Sequence, residues 1–264
     1  MRMKFYLGVH EPPMLEKTEV PLFISYKRLL RQPKINRQPT CEWSLDSGGF
    51  SEIAKHGKWI ITPDEYIADV GRYMDWGGLN WAAPQDWMVE PHMTEKTGLT
   101  VQDHQDLTVE NFLYLRDTAP DLPFVPVLQG WTMRDYSNCF EQYKEAGIDL
   151  TKESTVGVGS VCRRQATYEI EAIMSQLYEL GLDNIHGFGG KTSGLSKYGQ
   201  YLQSADSMAW SYAARMGVGE RCDWCKSNNL SKRKSCANCL GFALAWREKV
   251  VSSPLGTLDR REWL

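Results

Sequence analysis

Four cysteines, Cys222, Cys225, Cys236 and Cys239, follow one another as C-x2-C-x10-C-x2-C. Two such knuckles supply four thiolates, the donor set that zinc takes in a closed site; a redox pair or four unrelated thiols is the other reading of this spacing. Four sulfur ligands leave no coordination position open, so the expected zinc is structural rather than catalytic. Cys41, Cys139 and Cys162 are scattered and read as small buried apolar residues.

The sharpest local motif is Leu45-Asp46-Ser47-Gly48-Gly49-Phe50. Two glycines permit a tight turn and a close backbone approach to a ligand. Asp46 lies on one side of that turn and the Phe50 ring, able to stack on a planar substrate, on the other; a helix-capping role for Asp46 is the alternative. Further along stand Asp86 after Ala-Pro-Gln, Gln129 before Gly130, the pair Gly157 and Gly159, His186, and Asp206 before Ser207. Singly these read as turn acids, loop amides or caps.

Their placement on the predicted elements changes that reading. Strand-type runs cover 4–9, 21–25, 42–46, 79–83, 124–128, 155–158 and 184–188, with 201–210 readable as strand or helix. Helical stretches follow most of them: 26–31, 63–76 with Thr62 and Glu65 as a capping box, roughly 103–117, a stretch capped by Thr132 and stopped near Gly147, 164–180, and 237–251. Eight strands alternating with helices predict an α/β fold, a (β/α)8 TIM-like barrel with a small zinc-binding insertion after the last strand; an open doubly wound sheet is the alternative. The barrel is favoured because Asp46, Asp86, Gln129, Gly157, His186 and Asp206 all fall at or just past the C-terminal ends of strands, which converge on one mouth. One domain spanning 1–264 is expected, with the zinc segment 222–239 inside it.

The chain of 264 residues carries 30 Lys and Arg against 33 Asp and Glu, a net charge of −3, which excludes a wholesale basic coat. A 42% hydrophobic and 24% charged composition excludes extensive disorder. No apolar run approaches the roughly 20 residues that span a bilayer, and Met1 to Val9, interrupted by Lys4, is too short for a secretory core. The expectation is a cytoplasmic protein with no membrane partner. Basic residues cluster at Lys27, Arg28, Arg31, Lys34 and Arg37, at Arg163-Arg164, and at Arg221, Lys226, Lys232, Arg233 and Lys234, which fits phosphate contacts near the mouth or a solvated charged face.

The succession DSGGF, an Asp after the fourth strand, LQG, GxG, IHGFG and then AD-S ahead of a CxxC zinc segment resembles the tRNA-guanine transglycosylase superfamily over roughly residues 42–239. Pro-Thr-Arg, which often follows the nucleophile in bacterial members, is replaced here by Met208-Ala209-Trp210 after Ser207, and four cysteines stand where three Cys and one His are more familiar. The closer resemblance is to the DpdA-like branch, which exchanges guanine in DNA for a 7-deazaguanine in bacterial and phage modification systems.

That resemblance implies Asp206 as the nucleophile on the anomeric carbon and Asp46 as the general acid/base. It implies Asp86 as acceptor for the ring N–H and amine of the base, and Gln129 with the backbone near Gly157 and Gly159 as donors to its six-position carbonyl. Ser47 belongs to the same pocket, Phe50 would stack on one face of the base, and His186 would oppose the other. The implied reaction exchanges guanine for a base such as 7-cyano-7-deazaguanine through a covalent aspartyl-sugar intermediate. DNA is the expected partner with tRNA as the alternative, together with the 7-deazaguanine base and a second copy of the chain as a homodimer. A non-catalytic, zinc-stabilised nucleic-acid-binding subunit is a further alternative.

Overall fold

The computed structural model describes residues 3–30, 32, 34–162, 164, 168–190, 192–216, 222–227 and 235–252. Its centre is a sheet of eight parallel strands: β1 (Lys4–Val9), β2 (Leu22–Ser25), β3 (Trp43–Asp46), β4 (Leu79–Ala82), β5 (Val127–Leu128), β6 (Val156–Val158), β7 (Ile185–Gly187) and β8 (Ser204–Ser207). They run in the order β4-β3-β2-β1-β8-β7-β6-β5, so the first strand pairs with the last, Tyr6 opposite Asp206. The sheet curls until β4 meets the segment ahead of β5 at the parallel bridge Ala82↔Phe124. There Ala82 N donates to Pro123 O over 2.9 Å and Val125 N to Ala82 O over 3.1 Å.

The helices are α1 (Tyr26–Leu29), α2 (Gly49–His56), α3 (Pro63–Trp76), α4 (Pro91–Thr97), α5 (Val101–Thr118), α6 (Met133–Glu145), α7 (Tyr168–Glu179), α8 (Thr192–Tyr198), α9 (Ala209–Met216), α10 (Asp223–Ser227) and α11 (Leu240–Ser252). Thr62, Thr100 and Thr132 cap α3, α5 and α6, each in a reciprocal box with the acid three residues on. Such caps satisfy amide donors that the first helical turn leaves orphaned.

Strand periodicity sorts the core into two compartments. Outward side chains such as Leu7, Leu22, Ile24, Trp43 and Leu45 join Tyr66, Tyr73, Phe112 and Tyr143 from the helices in the main core. Inward, Tyr6, Phe23, Trp81, Ala83 and Val125 form a separate aromatic plug with Phe188 against it. Polar residues one step further along the same strand faces then emerge above the plug: Ser25 after Phe23, Asp46 after Ser44, and Asp206 after Ser204.

The predicted strand 124–128 is interrupted. Pro126 has no amide to donate, so Phe124 bridges to β4 while only Val127 and Leu128 pair with β6. The ambiguous stretch 201–210 resolves into both readings, strand β8 and then the start of α9. Four helices were not anticipated, α2, α4, α8 and α10. α2 begins directly at the DSGGF turn, where Gly48 takes φ 79°, and α4 opens on Pro91. The helix expected over 164–180 is described as α7 from Tyr168 onward, and the one expected over 237–251 as α11.

Candidate active site and cysteine cluster

At the C-terminal end of the strands lies a cavity of about 670 Å³. Asp46, Asp86, Gln129, Gly159 and Asp206 line it, and Phe50 stands at its edge, 40% exposed, on the first turn of α2. Five strands thus deliver residues spread over 160 positions of sequence to one wall.

Asp46 ends β3 in register with Ser25 of β2. Its carboxyl accepts from the Gly48 amide and the Ser25 hydroxyl, and burial, together with the charge of Asp206, raises it above the usual carboxylate range. Asp86 is pushed up to about 7 by burial first and then by the charge of Asp46. It is held from both sides: Ser47 Oγ donates to Oδ1 over 3.0 Å and Gln129 Nε2 to Oδ2 over 2.6 Å. Ser47 is fully buried and acts on the cavity only through Asp86. Asp206 Oδ1 accepts from the Gly189 amide over 2.7 Å.

Two expected site residues sit one layer deeper than the cavity. His186 is fully buried within the aromatic plug, against Tyr6, Phe23 and Trp81. Phe188, two residues on, lines the cavity in its place. His186 Nδ1 instead meets Ser204 Oγ at 2.9 Å, and its Nε2, which has no hydrogen bond, lies 3.4 Å from Asp206 Oδ1. Gly157 is likewise below the cavity; a Cβ there would stand 2.6 Å from the Phe188 ring. Gly159 is at the wall, where a Cβ would lie 2.3 Å from Gln129 Nε2, so only glycine leaves room for that amide.

Several lining residues were not singled out in the sequence. Ser25 was findable, since its strand register places it opposite Asp46. His10, stacked on Trp210 at 5.8 Å and 9°, touches Asn238 Oδ1 over 2.6 Å and so ties the rim to the cysteine segment. Ser160 follows the GxG pair and adopts φ 56°, the one non-glycine residue with positive φ among the described residues. Its hydroxyl, and Glu90 beside it, gave no sequence signal beyond that adjacency.

Of the basic clusters, Lys27 and Arg28 line the cavity, and Lys27 pairs with Glu52 of α2. Lys34 and Arg37 are exposed. The Arg164 guanidinium lies over the Trp131 ring at 4.1 Å and pairs with Glu169. Lys226 is 3.6 Å from Asp223 within α10. Arg31, Arg163, Arg221, Lys232, Arg233 and Lys234 lie outside the described residues.

The ligand atoms of Cys222, Cys225, Cys236 and Cys239 lie within 4.8 Å of one another. Their closest approaches are 3.2 Å between Cys225 and Cys239, 3.5 Å between Cys222 and Cys239, and 3.7 Å between Cys225 and Cys236. Tetrahedral zinc with Zn–S bonds near 2.3 Å would set its sulfurs about 3.8 Å apart. The donor set therefore fits a four-coordinate metal ion such as zinc, and these four cysteines can hold one.

The family described as DeoxyPurine in DNA protein A matches residues 1–259. The chain belongs to that family. Its match spans both the strand-end carboxylates and the cysteine cluster, from β1 to α11. No curated protein matches the chain. Among the described residues no helix is long and apolar enough to cross a membrane.

Proposed function

We propose that this protein is a DNA-guanine transglycosylase, a pentosyltransferase that exchanges guanine in DNA for a 7-deazaguanine base such as 7-cyano-7-deazaguanine. The observation that carries the reading is the pairing of two differently held carboxyls on one cavity, Asp206 on a backbone amide and Asp46 raised by burial. Family membership supplies the substrate class, since the family name refers to deoxypurines in DNA.

In this mechanism Asp206, ionised, attacks the anomeric carbon of the target nucleotide. The glycosidic electron pair leaves with guanine, and Asp46 gives its proton to the departing base. The sugar is then held as an aspartyl ester. The incoming base loses its ring N–H proton to Asp46, its nitrogen attacks the same carbon, and the Asp206 carboxylate is released. Dividing one substitution into two gives each step a lower barrier, and the different surroundings of Asp46 and Asp206 suit the acid and nucleophile tasks. Asp86 accepts from the ring N–H and amine of the base, the Gln129 amide and the backbone at Gly159 face its carbonyl, and Phe50 with Phe188 provides ring faces. The target base must leave its stack to enter, at a cost of a few kcal/mol; Lys27 and Arg28 at the mouth then meet the phosphates that follow it.

The cysteine cluster is assigned to structural zinc within a single catalytic unit. Exchange of radiolabelled guanine into duplex DNA, single-stranded DNA and tRNA tests the reading. Incorporation into DNA with no change in backbone length is expected. Incorporation only into tRNA would move the assignment to the tRNA enzymes, release without reinsertion would make it a glycosylase, and binding without either would make it a non-catalytic subunit.

A further inference from the structure

A chain of four buried polar side chains leads away from the base-binding carboxyl. Gln129 Nε2 donates to Asp86 Oδ2 over 2.6 Å. Ser160 Oγ lies 2.7 Å from Gln129 Oε1 and 3.0 Å from Glu90 Oε2, and it accepts from the Val89 amide over 2.9 Å. All four residues are less than 9% exposed, Gln129 and Glu90 being 0% and 4%. A serine hydroxyl has one hydrogen, yet two oxygens here stand within hydrogen-bond distance as acceptors.

The count can be satisfied in two ways. If Asp86 is ionised, Gln129 donates to it, Ser160 donates to Gln129 Oε1, and Glu90 must carry a proton and donate to Ser160. If Asp86 is protonated, it donates to the amide oxygen after a half-turn of Gln129; the amide nitrogen then donates to Ser160, and Ser160 donates to an ionised Glu90. In either state Ser160 donates once and accepts twice, from Val89 and from one neighbour. With both carboxyls ionised, one oxygen–oxygen contact has no hydrogen in it, an arrangement that buried groups avoid.

We propose that Asp86, Gln129, Ser160 and Glu90 form a proton relay in which Glu90 takes up the proton that Asp86 gives up when a purine base presents its N–H donors. The proposal rests on the assignment of Asp86 to base recognition. Glu90, which also lines the cavity, is then a specificity-determining residue. It lets the site switch between an acceptor face, suited to a lactam N–H and an amine, and a donor face, with no net proton given to the solvent. Balance is kept throughout: the Asp86 O–H bond breaks, a Glu90 O–H bond forms, the proton crosses by the cavity that both carboxyls line, and the Gln129 amide reverses with both its N–H bonds intact. The left-handed backbone of Ser160 is what aims its hydroxyl between the two acceptors; for a non-glycine residue that conformation is uncommon and disfavoured.

Other charges surround the relay. Asp46 faces Asp86, with Tyr66 behind it. Tyr136, Cys162 and His104 lie near Glu90. The Tyr136 hydroxyl is committed to Gly159 O, and both His104 ring nitrogens to Met88 O and Thr97 Oγ1. No cation pairs with Asp86 or Glu90 among the described residues.

Guanine binding measured by calorimetry at pH 5, in buffers of different ionisation enthalpy, reads the proton count. The wild type is expected to bind guanine with no net proton release. Glu90→Gln and Ser160→Gly are both expected to release about one proton and to lose about tenfold in affinity per pH unit below the Asp86 midpoint. Ser160→Gly keeps the Glu90 charge and suits the left-handed backbone, so it separates the relay from simple electrostatics and survives where a bulkier change would not fold. Wild-type release of a proton, or a Ser160→Gly profile like the wild type, overturns the relay. Ligand-free protein gives a second reading from the carboxylic C=O infrared band. The last proton of the pair should leave about one pH unit lower in both variants than in the wild type, and an unchanged band overturns the relay. If the band shifts but guanine does not bind, the relay stands and the base-recognition assignment falls.

Discussion

His186 Nε2 lies 3.4 Å beneath Asp206 Oδ1, in a fully buried layer below the cavity. The imidazole is fixed on its other side by Ser204 and walled by Tyr6, Phe23 and Trp81. It is expected to act as a positioning residue for the proposed nucleophile: a movement of a few tenths of an ångström would turn the contact into a hydrogen bond that orients the Asp206 carboxylate. His186→Asn keeps a group near Ser204 but cannot reach Asp206, and His186→Gln can. The asparagine variant should lower kcat about tenfold or more with little change in KM for DNA, and the glutamine variant should restore most of it. Equal losses in both would make His186 a packing residue only.

Asp206 itself should carry the covalent link. With substrate DNA supplied and no incoming base, a slower-migrating species is expected on a denaturing gel. Asp206→Ala and Asp206→Asn should remove it, and substitution of Asp183 or Asp223 should leave it intact. An adduct mapped by peptide mass to Asp46 or Asp86 would reverse the assigned roles.

Asp46→Asn should fold and bind DNA while exchange falls about 10²–10⁴-fold, the usual range for a general acid/base. The amide can still accept from Gly48 and Ser25, so the turn survives. Turnover equal to wild type would reduce Asp46 to a turn-stabilising group.

The raised Asp86 carboxyl gives a pH-dependent stability. Its folded value, about 7, exceeds that of an unfolded aspartate. Stability from this group is full below about pH 4 and is lost as pH rises toward 7, because the native state resists the charge. Asp86→Asn should therefore raise Tm at pH 8, by an amount on the order of a few kcal/mol in stability, and give no advantage near pH 4. A gain that is the same at both pH values would show that charge burial is not its source.

Metal analysis of the purified protein should give one zinc per chain, and Cys236→Ser should reduce it. Chelation should lower the melting temperature, since a site of four thiolates contributes its binding energy to folding. The effect should reach the barrel: α11 follows Cys239 directly, and its Arg247 guanidinium donates to Phe5 O of β1 over 3.0 and 3.2 Å. Zinc retained in full by Cys236→Ser would remove these cysteines as its ligands.

Much of this arrangement is legible in the amino-acid order, for identifiable reasons. The strand ends are marked because each breaks an apolar run with an acid, amide or glycine, and this groups Asp46, Asp86, Gln129 and Asp206 in the sequence alone. The capping box at Thr62 and the cap at Thr132 are local signals and appear where expected. Depth within the barrel is not local. His186 and Phe188 share a strand face, and only the pairing register tells which lies in the plug and which at the wall. Ser160 and Glu90 meet across 70 residues of sequence, so their contact leaves no periodicity to read. Helix α2 was hidden by its own beginning, because Gly48-Gly49 reads as a turn and continues as a helix.

The ladder between β1 and β8 also has a consequence in time. Lys4 pairs with Ser204, 200 positions later in the chain. At synthesis rates of about 5–20 residues per second, the first strand waits on the order of 10–40 seconds on the ribosome for its second neighbour. Throughout that interval Phe5, Tyr6 and Leu7, all destined for burial, have one edge without a partner. Newly made chains should thus be most vulnerable to aggregation before β8 emerges, and truncation ahead of Ser204 should be far more damaging to solubility than any substitution at the mouth.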